Sequence, residues 1–518
     1  MRRVVVALTA LLAMVGVAVV GGYLLFFAAV GDRAAGAVPA DSAVYLKVHL
    51  QLSSGQKLNL LSLVGHLPGF RDDATREEKI HQVTQRLLRE VGVDYAADLR
   101  PWLGGQLALA AAPAGAPGAP PRLLLLASVK DMAVARDAVP RLMAREGVRY
   151  TPETYRGQRV MVSEGISFVL LDDLLVVAST PDRLREALDA DADTIPSLAD
   201  LPAFGKAMRG LPADHLASLY LDLGLVAGHE AGGHLGGFGS AALALTAAPD
   251  GLHLDGDVPF SDRDASEAAR AAFALGNRTS SLAAWMSRAT RAEVSLLGLQ
   301  LSIGDLEQEV GASSLLAPAI DALNQLRLIG GIGLGINVDR DLLPLFDGEA
   351  GVALIELKPA ASRGVALLRP GDPAAALAAL DAIRDALVAR GSTVSTSQAA
   401  GAVITSLTVP QVGRLAYTMV DGVVLAGLDP ADLVAALEAH RSGSALASDP
   451  RYEPTFQVAG GHAGNELWAD IPALLDAASG IFDPGSEVRD ILHQIGELAM
   501  SASTVDDHLE IHAVLTVE

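Results

Sequence analysis

Apolar and polar residues alternate along "SAVYLKVHL", where Val44, Leu46 and Val48 are interleaved with Tyr45, Lys47 and His49. A period of two predicts a strand. The period then changes: Ile80, Val83, Leu87, Leu88 and Val91 fall at three- and four-residue steps behind Thr75 and Glu78, the pattern of an amphipathic helix opened by a capping box. "GQLALAAA" and "PRLLLLASV" predict a hairpin around the loop "PAGAPGAPP". A helix from Asp131 follows, then three short strands between 159 and 179, the last two joined at Asp172-Asp173. Thr180-Pro181 fits an N-cap followed by proline at the first helical position. Further short helices and three strands complete an α+β unit, built on a largely antiparallel sheet with packed helices.

The pattern is written twice. "GVDYAADLRPWLGGQ" from Gly92 returns 243 residues later as "GINVDRDLLPLFDGE" from Gly335, keeping Asp98 as Asp341, Leu99 as Leu342, Pro101 as Pro344 and Gly105 as Gly348. "LDDLLVVASTPDRLREAL" from Leu171 returns as "VDGVVLAGLDPADLVAAL" from Val420, and "LYLDL" from Leu219 as "LWADI" from Leu467. Upstream, "AVYLKV" from Ala43 is matched with "AAWMSR" from Ala283. In-order matches of this kind predict two tandem homologous repeats, 39–260 and 280–518, joined by a connection at 261–279. Scaffold residues persist between the copies while Arg100, Trp102 and Gln106 change to Leu343, Leu345 and Glu349. The segment therefore reads as architecture, its one functional alternative being a surface contact through Trp102. Several strands, "RLLLLASV" and "FVLLDDLLVVA" among them, are apolar on both faces. Something must cover the second face: the other repeat, a partner protein or a hydrophobic ligand.

Ahead of the repeats, residues 4–30 carry no charge over 27 positions, about 40 Å as a helix against a hydrocarbon core of roughly 30 Å. This predicts an N-terminal transmembrane anchor over 1–30 and a linker over 31–38. Arg2 and Arg3 keep the N-terminus cytoplasmic and the bulk of the chain extracytoplasmic, as a single-pass protein of the cell membrane. The rival reading is a cleaved signal peptide, because Ala35-Gly36-Ala37 resembles an A-x-A processing site. A net charge of −22 excludes nucleic acid as a broad partner. Zero cysteines exclude disulfides, thiolate metal sites and a cysteine nucleophile.

Motifs of catalysis fail on spacing. The histidines of "GHEAGGH", His229 and His234, are five apart, and three glycines within the stretch disfavour a helix. His508 and His512 stand four apart in a strand, about 13 Å, too far to share one metal. Ser54 and Lys57 spell S-x-x-K without S-D-N or K-T-G, which reads as a polar loop. "GGIGLGINVD" lacks the dinucleotide spacing, and no Walker A pattern or G-x-S-x-G elbow occurs. Asp172-Asp173 becomes Asp421-Gly422 in the second copy, which marks a turn rather than an acid–base pair. Trp102, Trp285 and Trp468 lie in or beside predicted strands and read as core. The sequence thus assigns no catalytic, cofactor-binding or metal residue.

With an apolar leader followed by "VPADSAVYLKVHL", "DLRPWLGGQLALA", "LLDDLLVVASTPDRLREAL" and "SLADLPAFGKAM", the chain resembles the bacterial family DUF3352. That resemblance implies an exported, membrane-tethered protein and supplies no activity. The expectation is a non-enzymatic binding or scaffold protein of the cell envelope. A carrier or sensor of a lipid-like ligand held by the sheets is the alternative, and a hydrolase of unrecognised type comes third.

Overall fold

The computed structural model describes residues 32–517 apart from 68–69, 71–93, 115–118, 146–147, 164, 229–233, 358–361, 411–412, 478–492 and most of 302–334. The apolar leader, the amphipathic pattern from Thr75 to Val91 and most of "GHEAGGH" lie outside the described residues. No helix among the described residues is long and apolar enough to cross a membrane. The fold mixes helices with antiparallel sheet and divides into two compact units, the first built from residues up to His234 with Phe238–Asp250 and Leu254–Pro259, the second from the remainder.

The first unit opens with a 3-10 turn, Ala35–Ala37, and continues through β1 (Val44–His49), α1 (Ser54–His66), a π turn (Tyr95–Leu99), β2 (Leu103–Ala112), β3 (Arg122–Val129) and α2 (Met132–Arg145). Then come β4 (Thr151–Tyr155), β5 (Gln158–Val162), β6 (Ser167–Leu170), β7 (Leu174–Ala178), α3 (Pro181–Asp191), α4 (Pro202–Gly210), β8 (Ala217–Asp222), α5 (Leu223–Ala227), β9 (Ser240–Ala248) and β10 (Gly251–Pro259), of which Leu254–Pro259 count with this unit. Antiparallel pairings place the first nine strands in the order 4-5-6-7-3-2-1-8-9. Alternate residues of the central strands feed opposite cores: Leu124, Leu126, Leu174 and Val176 meet Leu184, Phe204 and the 3-10 turn, while Leu125, Ala127, Leu175 and Val177 meet Ala135, Val139 and Trp102. The doubly apolar strands are thus explained within the unit. Its own helices cover both faces, so the feature that suggested a hydrophobic ligand has an internal cause.

The second unit holds α6 (Glu267–Leu275), a 3-10 turn (Leu282–Trp285), β11 (Ala292–Leu297), a π turn (Val338–Leu342), β12 (Glu349–Glu356), β13 (Arg363–Arg369) and α7 (Pro373–Ala389). It continues with β14 (Thr393–Ala399), β15 (Ala402–Val409), β16 (Gly413–Val420), β17 (Val423–Gly427), α8 (Pro430–Ser442), α9 (Tyr452–Val458), β18 (Asn465–Asp470), α10 (Ile471–Ala477), β19 (Ile495–Val505) and β20 (His508–Val517). Its strands run 14-15-16-17-13-12-11-18-19-20. Again two clusters flank the sheet, with Leu367 and Leu425 facing α8 and α9, and Leu368 and Val424 facing α7.

Three expectations are corrected. The stretch 31–38, expected as a linker, carries Ala34, Ala35, Ala37 and Val38 into the first core at 0–2 % exposure. "AAWMSR" is not the second unit's first strand: Ala283 and Trp285 lie in a 3-10 turn, and the strand that pairs as β1 does is Ala292–Leu297. The similarity of composition concealed a shift of eight residues. Ser54 and Lys57 belong to a helix capped by Ser53, whose Oγ accepts from the Gln56 N–H, not to a polar loop. On β1 the most deeply buried side chains are Tyr45 and Val48, on opposite faces, with Lys47 nearly as enclosed. The cause is local, because Asp32 supplies the polar partner that lets Tyr45 and Lys47 turn inward.

The repeated Asp-Leu-Pro-Gly segment has a common geometry. Asp98 Oδ2 accepts from the Asp94 N–H at 2.9 Å while Asp94 Oδ1 accepts from the Ala97 N–H at 3.0 Å; Asp341 and Asn337 reproduce both bonds at 2.9 and 3.0 Å. Trp102 is 2 % exposed and donates to the Asp98 carbonyl, which removes it as a surface contact. A side chain at Gly348 would strike the Arg369 carbonyl, so glycine is needed for close approach to the neighbouring strand. Replacing either Asp98 or Asp341 by alanine should lower the stability of its own unit by about 1 kcal/mol, read as a shift in urea midpoint.

Candidate functional site

The buried acids of the second unit stand out because a carboxylate is rarely enclosed without a task or a partner. β11 and β18 pair antiparallel near the middle of the sheet, with Glu293 opposite Trp468 and Ser295 opposite Glu466. These four side chains share one face, and Glu293 and Glu466 are only 1 % and 2 % exposed. Helix α9 closes over them with Tyr452, whose hydroxyl donates to Glu293 Oε1 at 3.1 Å, while Ser295 Oγ donates to Oε2 at 3.0 Å.

His462 completes the cluster from the turn "GGHAG". Its Nδ1 lies 3.3 Å from Glu466 Oε1 and its Nε2 3.1 Å from Glu453 Oε2, so it bridges a buried acid and an exposed one. Gly460, Gly461 and Gly464 around it all have positive φ, and a side chain at Gly464 would collide with the Ala502 carbonyl. The turn is therefore fixed by glycine, and with it the imidazole. Beside the cluster, Arg451 lies over the Trp468 ring, bonds Asp470 at 2.7 Å and Asp449 at 3.2 Å, and sits 3.8 Å from Glu497.

Electrostatics follow from burial. Desolvation first, and the neighbouring Glu466 second, push Glu293 up to about 7, against smaller opposing effects of Ser295, Tyr452 and His462. Burial also drives the Tyr452 phenol far up, with Glu293 and Glu466 adding to it. For His462 burial acts downward, but the hydrogen bonds and charges of Glu466 and Glu453 outweigh it and leave the imidazole above its ordinary value. The arrangement can hold a proton near neutrality between two acids, a phenol and an imidazole. It can also serve purely as an internal tie.

In the first unit the matching central pair, β1 and β8, puts Tyr45 opposite Tyr220 and Lys47 opposite Ser218. Phe204 packs edge-on against both tyrosines, at 5.8 and 5.1 Å between ring centroids. Polar contact comes instead from Asp32, which accepts from Tyr45 Oη at 2.6 Å and Gln106 Nε2 at 2.9 Å, with Lys47 Nζ at 3.2 Å. Nearby, Arg183 at 0 % exposure donates to Asp41, Glu186 and Ser42, and Arg122 binds the same two acids. In the second unit a buried Asp432 pairs with Arg363.

The residues singled out from the sequence are scattered. Asp173 lies in the bend before β7 and meets Arg33 at 3.2 Å, while Asp421 and Gly422 both take positive φ, the conformation of a tight hairpin turn. His508 and His512 stand on β20, each beside its own acid, Asp507 and Glu510. Trp285 and Trp468 are buried, Trp285 stacked on His440 at 3.5 Å. Among the described residues no group of three or more His, Asp or Glu side chains is arranged to hold a metal ion.

A family model described as a protein of unknown function, DUF3352, matches residues 4–514. The chain belongs to the DUF3352 family. No curated protein matches this DUF3352 chain. Among solved structures, crystal form III of TP0453 is similar at a TM-score of 0.25 and 13 % identity, over 48 % of the DUF3352 chain and 88 % of its own. Crystal form I of TP0453 is similar at 0.25 and 12 %, over 46 % and 81 %.

Proposed function

We propose that this DUF3352 protein is a duplicated, membrane-anchored scaffold or binding protein, with its two units on the extracytoplasmic side. The observation that carries the reading is the fate of Ala35-Gly36-Ala37. Cleavage after Ala37 would cut through a buried 3-10 turn and remove Ala34, Ala35 and Ala37 from the core and Asp32 from Tyr45, Lys47 and Gln106. Retention of residues 32–37 favours retention of the apolar run just before them, which is long enough to span. Arg2 and Arg3 then set the direction.

Duplication is supported by the shared order of nine strands, by the twin π turns, and by paired bridges, Pro39 with Ser197 and Ser287 with Ala445. A common ancestor explains why glycines, prolines and aspartates recur without a common acid cluster. A non-enzymatic role is favoured because each polar group traced above ties one element of the fold to another. The acid–base reading keeps one observation in its favour, the buried Glu293 near neutrality. Loss of a measured esterase or glycosidase activity in Glu293→Gln, with the fold intact, would establish that second reading.

The test of the anchor is alkaline carbonate extraction of membranes from cells making the full chain, with N-terminal sequencing and protease digestion of intact spheroplasts. Retention in the membrane, an N-terminus ahead of Asp32 and digestion from outside are expected. A soluble product beginning at Val38 would overturn the reading.

A further inference from the structure

Strand β14 has β15 as its only strand partner among the described residues, so the N–H and C=O groups of alternate residues point away from the sheet. Six of its seven residues are exposed. Natural edge strands are ordinarily guarded by charge, proline or a bulge, and β4, at the same place in the first unit, has both Pro152 and Glu153, the latter paired with Arg185 at 3.2 Å. β14 reads Thr-Val-Ser-Thr-Ser-Gln-Ala and has neither device. It lies within a run from Gly391 to Gly413 that has no charged residue over 23 positions, in a chain where 19 % of residues are charged. Val394 and Val403, on the two strands of this margin, are 40 % and 54 % exposed.

We propose that β14 is a pairing edge and that its partner is β14 of a second copy, joined antiparallel about a two-fold axis. Charge selects that occupant. Two molecules of net charge −22 repel almost everywhere, and this uncharged margin lets them meet without like charges opposed. The strand is also its own complement. With the axis at Thr396, Thr396 faces itself, Ser395 faces Ser397 and Val394 faces Gln398, small cross-strand pairs with no steric or electrostatic conflict. Seven residues bury too little area for a tight dimer in dilute solution. Confinement to a membrane raises the effective concentration of one edge for another, and to that extent the proposal rests on the anchor described above.

The absence of cysteine from the chain provides the test. Facing residues in an antiparallel pair have Cα atoms about 4.5–5.5 Å apart, within disulfide range. Thr396→Cys in the full-length chain, in membranes under mild oxidation, should give a disulfide-linked dimer at least tenfold above Thr154→Cys on β4. Adding Ser395→Lys and Ser397→Lys on this exposed edge should remove it. A Thr396→Cys chain that reacts fully with maleimide yet gives no dimer overturns the proposal, as does a disulfide to a different envelope protein. Carbonate extraction of the same membranes reports separately on the anchor, so loss of the tether and loss of the edge contact are told apart.

Discussion

Glu293→Gln should stabilise the second unit at alkaline pH and flatten its pH dependence. The carboxyl rises from its ordinary 4.5 to about 7 in the folded unit. A raised acid contributes stability that is complete below the unfolded value and is lost as pH climbs through the folded one, so the wild-type unit should weaken between about pH 4.5 and 8. The swing is about 3 kcal/mol at 1.4 kcal/mol per pKa unit. His462 acts in the same direction, its cation favoured by Glu466 and Glu453 and lost as pH rises further. Glutamine keeps an oxygen for the Tyr452 hydroxyl and carries no charge against Glu466, so it should hold the unit near its mildly acidic stability throughout. Urea unfolding from pH 5 to 9, followed by Trp468 fluorescence in a Trp102→Phe, Trp285→Phe background, would show it. Equal pH slopes in the chains with and without the substitution would refute the assignment.

Removal of residues up to Ala37 should unfold the first unit. A chain beginning at Gly31 retains Asp32 with its bonds to Tyr45, Gln106 and Lys47, together with the buried alanines. A chain beginning at Val38 loses the apolar burial of three alanines and at least three polar ties. Deleting these together costs about 5 kcal/mol, comparable to the whole stability of many domains. Circular dichroism and limited proteolysis of the two truncations should show an intact first unit in one and a digested first unit in the other. If both resist protease equally, the buried turn is dispensable and the case for a retained leader falls with it.

Local chemistry was the legible part of this fold. Thr180-Pro181 and Asp429-Pro430 cap helices as their residue types demand, because a cap is decided within four residues. The hairpin of β2 and β3 was equally plain, its two apolar runs being separated by a loop rich in proline and glycine. The edge strands were not: "TPETY" and "TVSTSQA" are exposed almost throughout and carry no alternation to read. The acid cluster was hidden for another reason. Glu293, Tyr452, His462 and Glu466 are brought together by strand pairing across more than 150 positions, and no motif spans that distance. A signal did exist in "RAEVSLL" and "NELWADI", where Glu293 in the first and Glu466 and Asp470 in the second fall on the face that turned out to be buried.

The inverted charges at Arg183 and Asp432 have a consequence for chimeras. Grafting α3 into the second unit would bring Arg183 against Arg363 in place of the acid Asp432, and grafting α8 into the first would set Asp432 beside Asp41 in place of the base Arg183. Each helix is matched to the charges of its own unit. Swapping these helices is thus expected to unsettle whichever unit receives the foreign one.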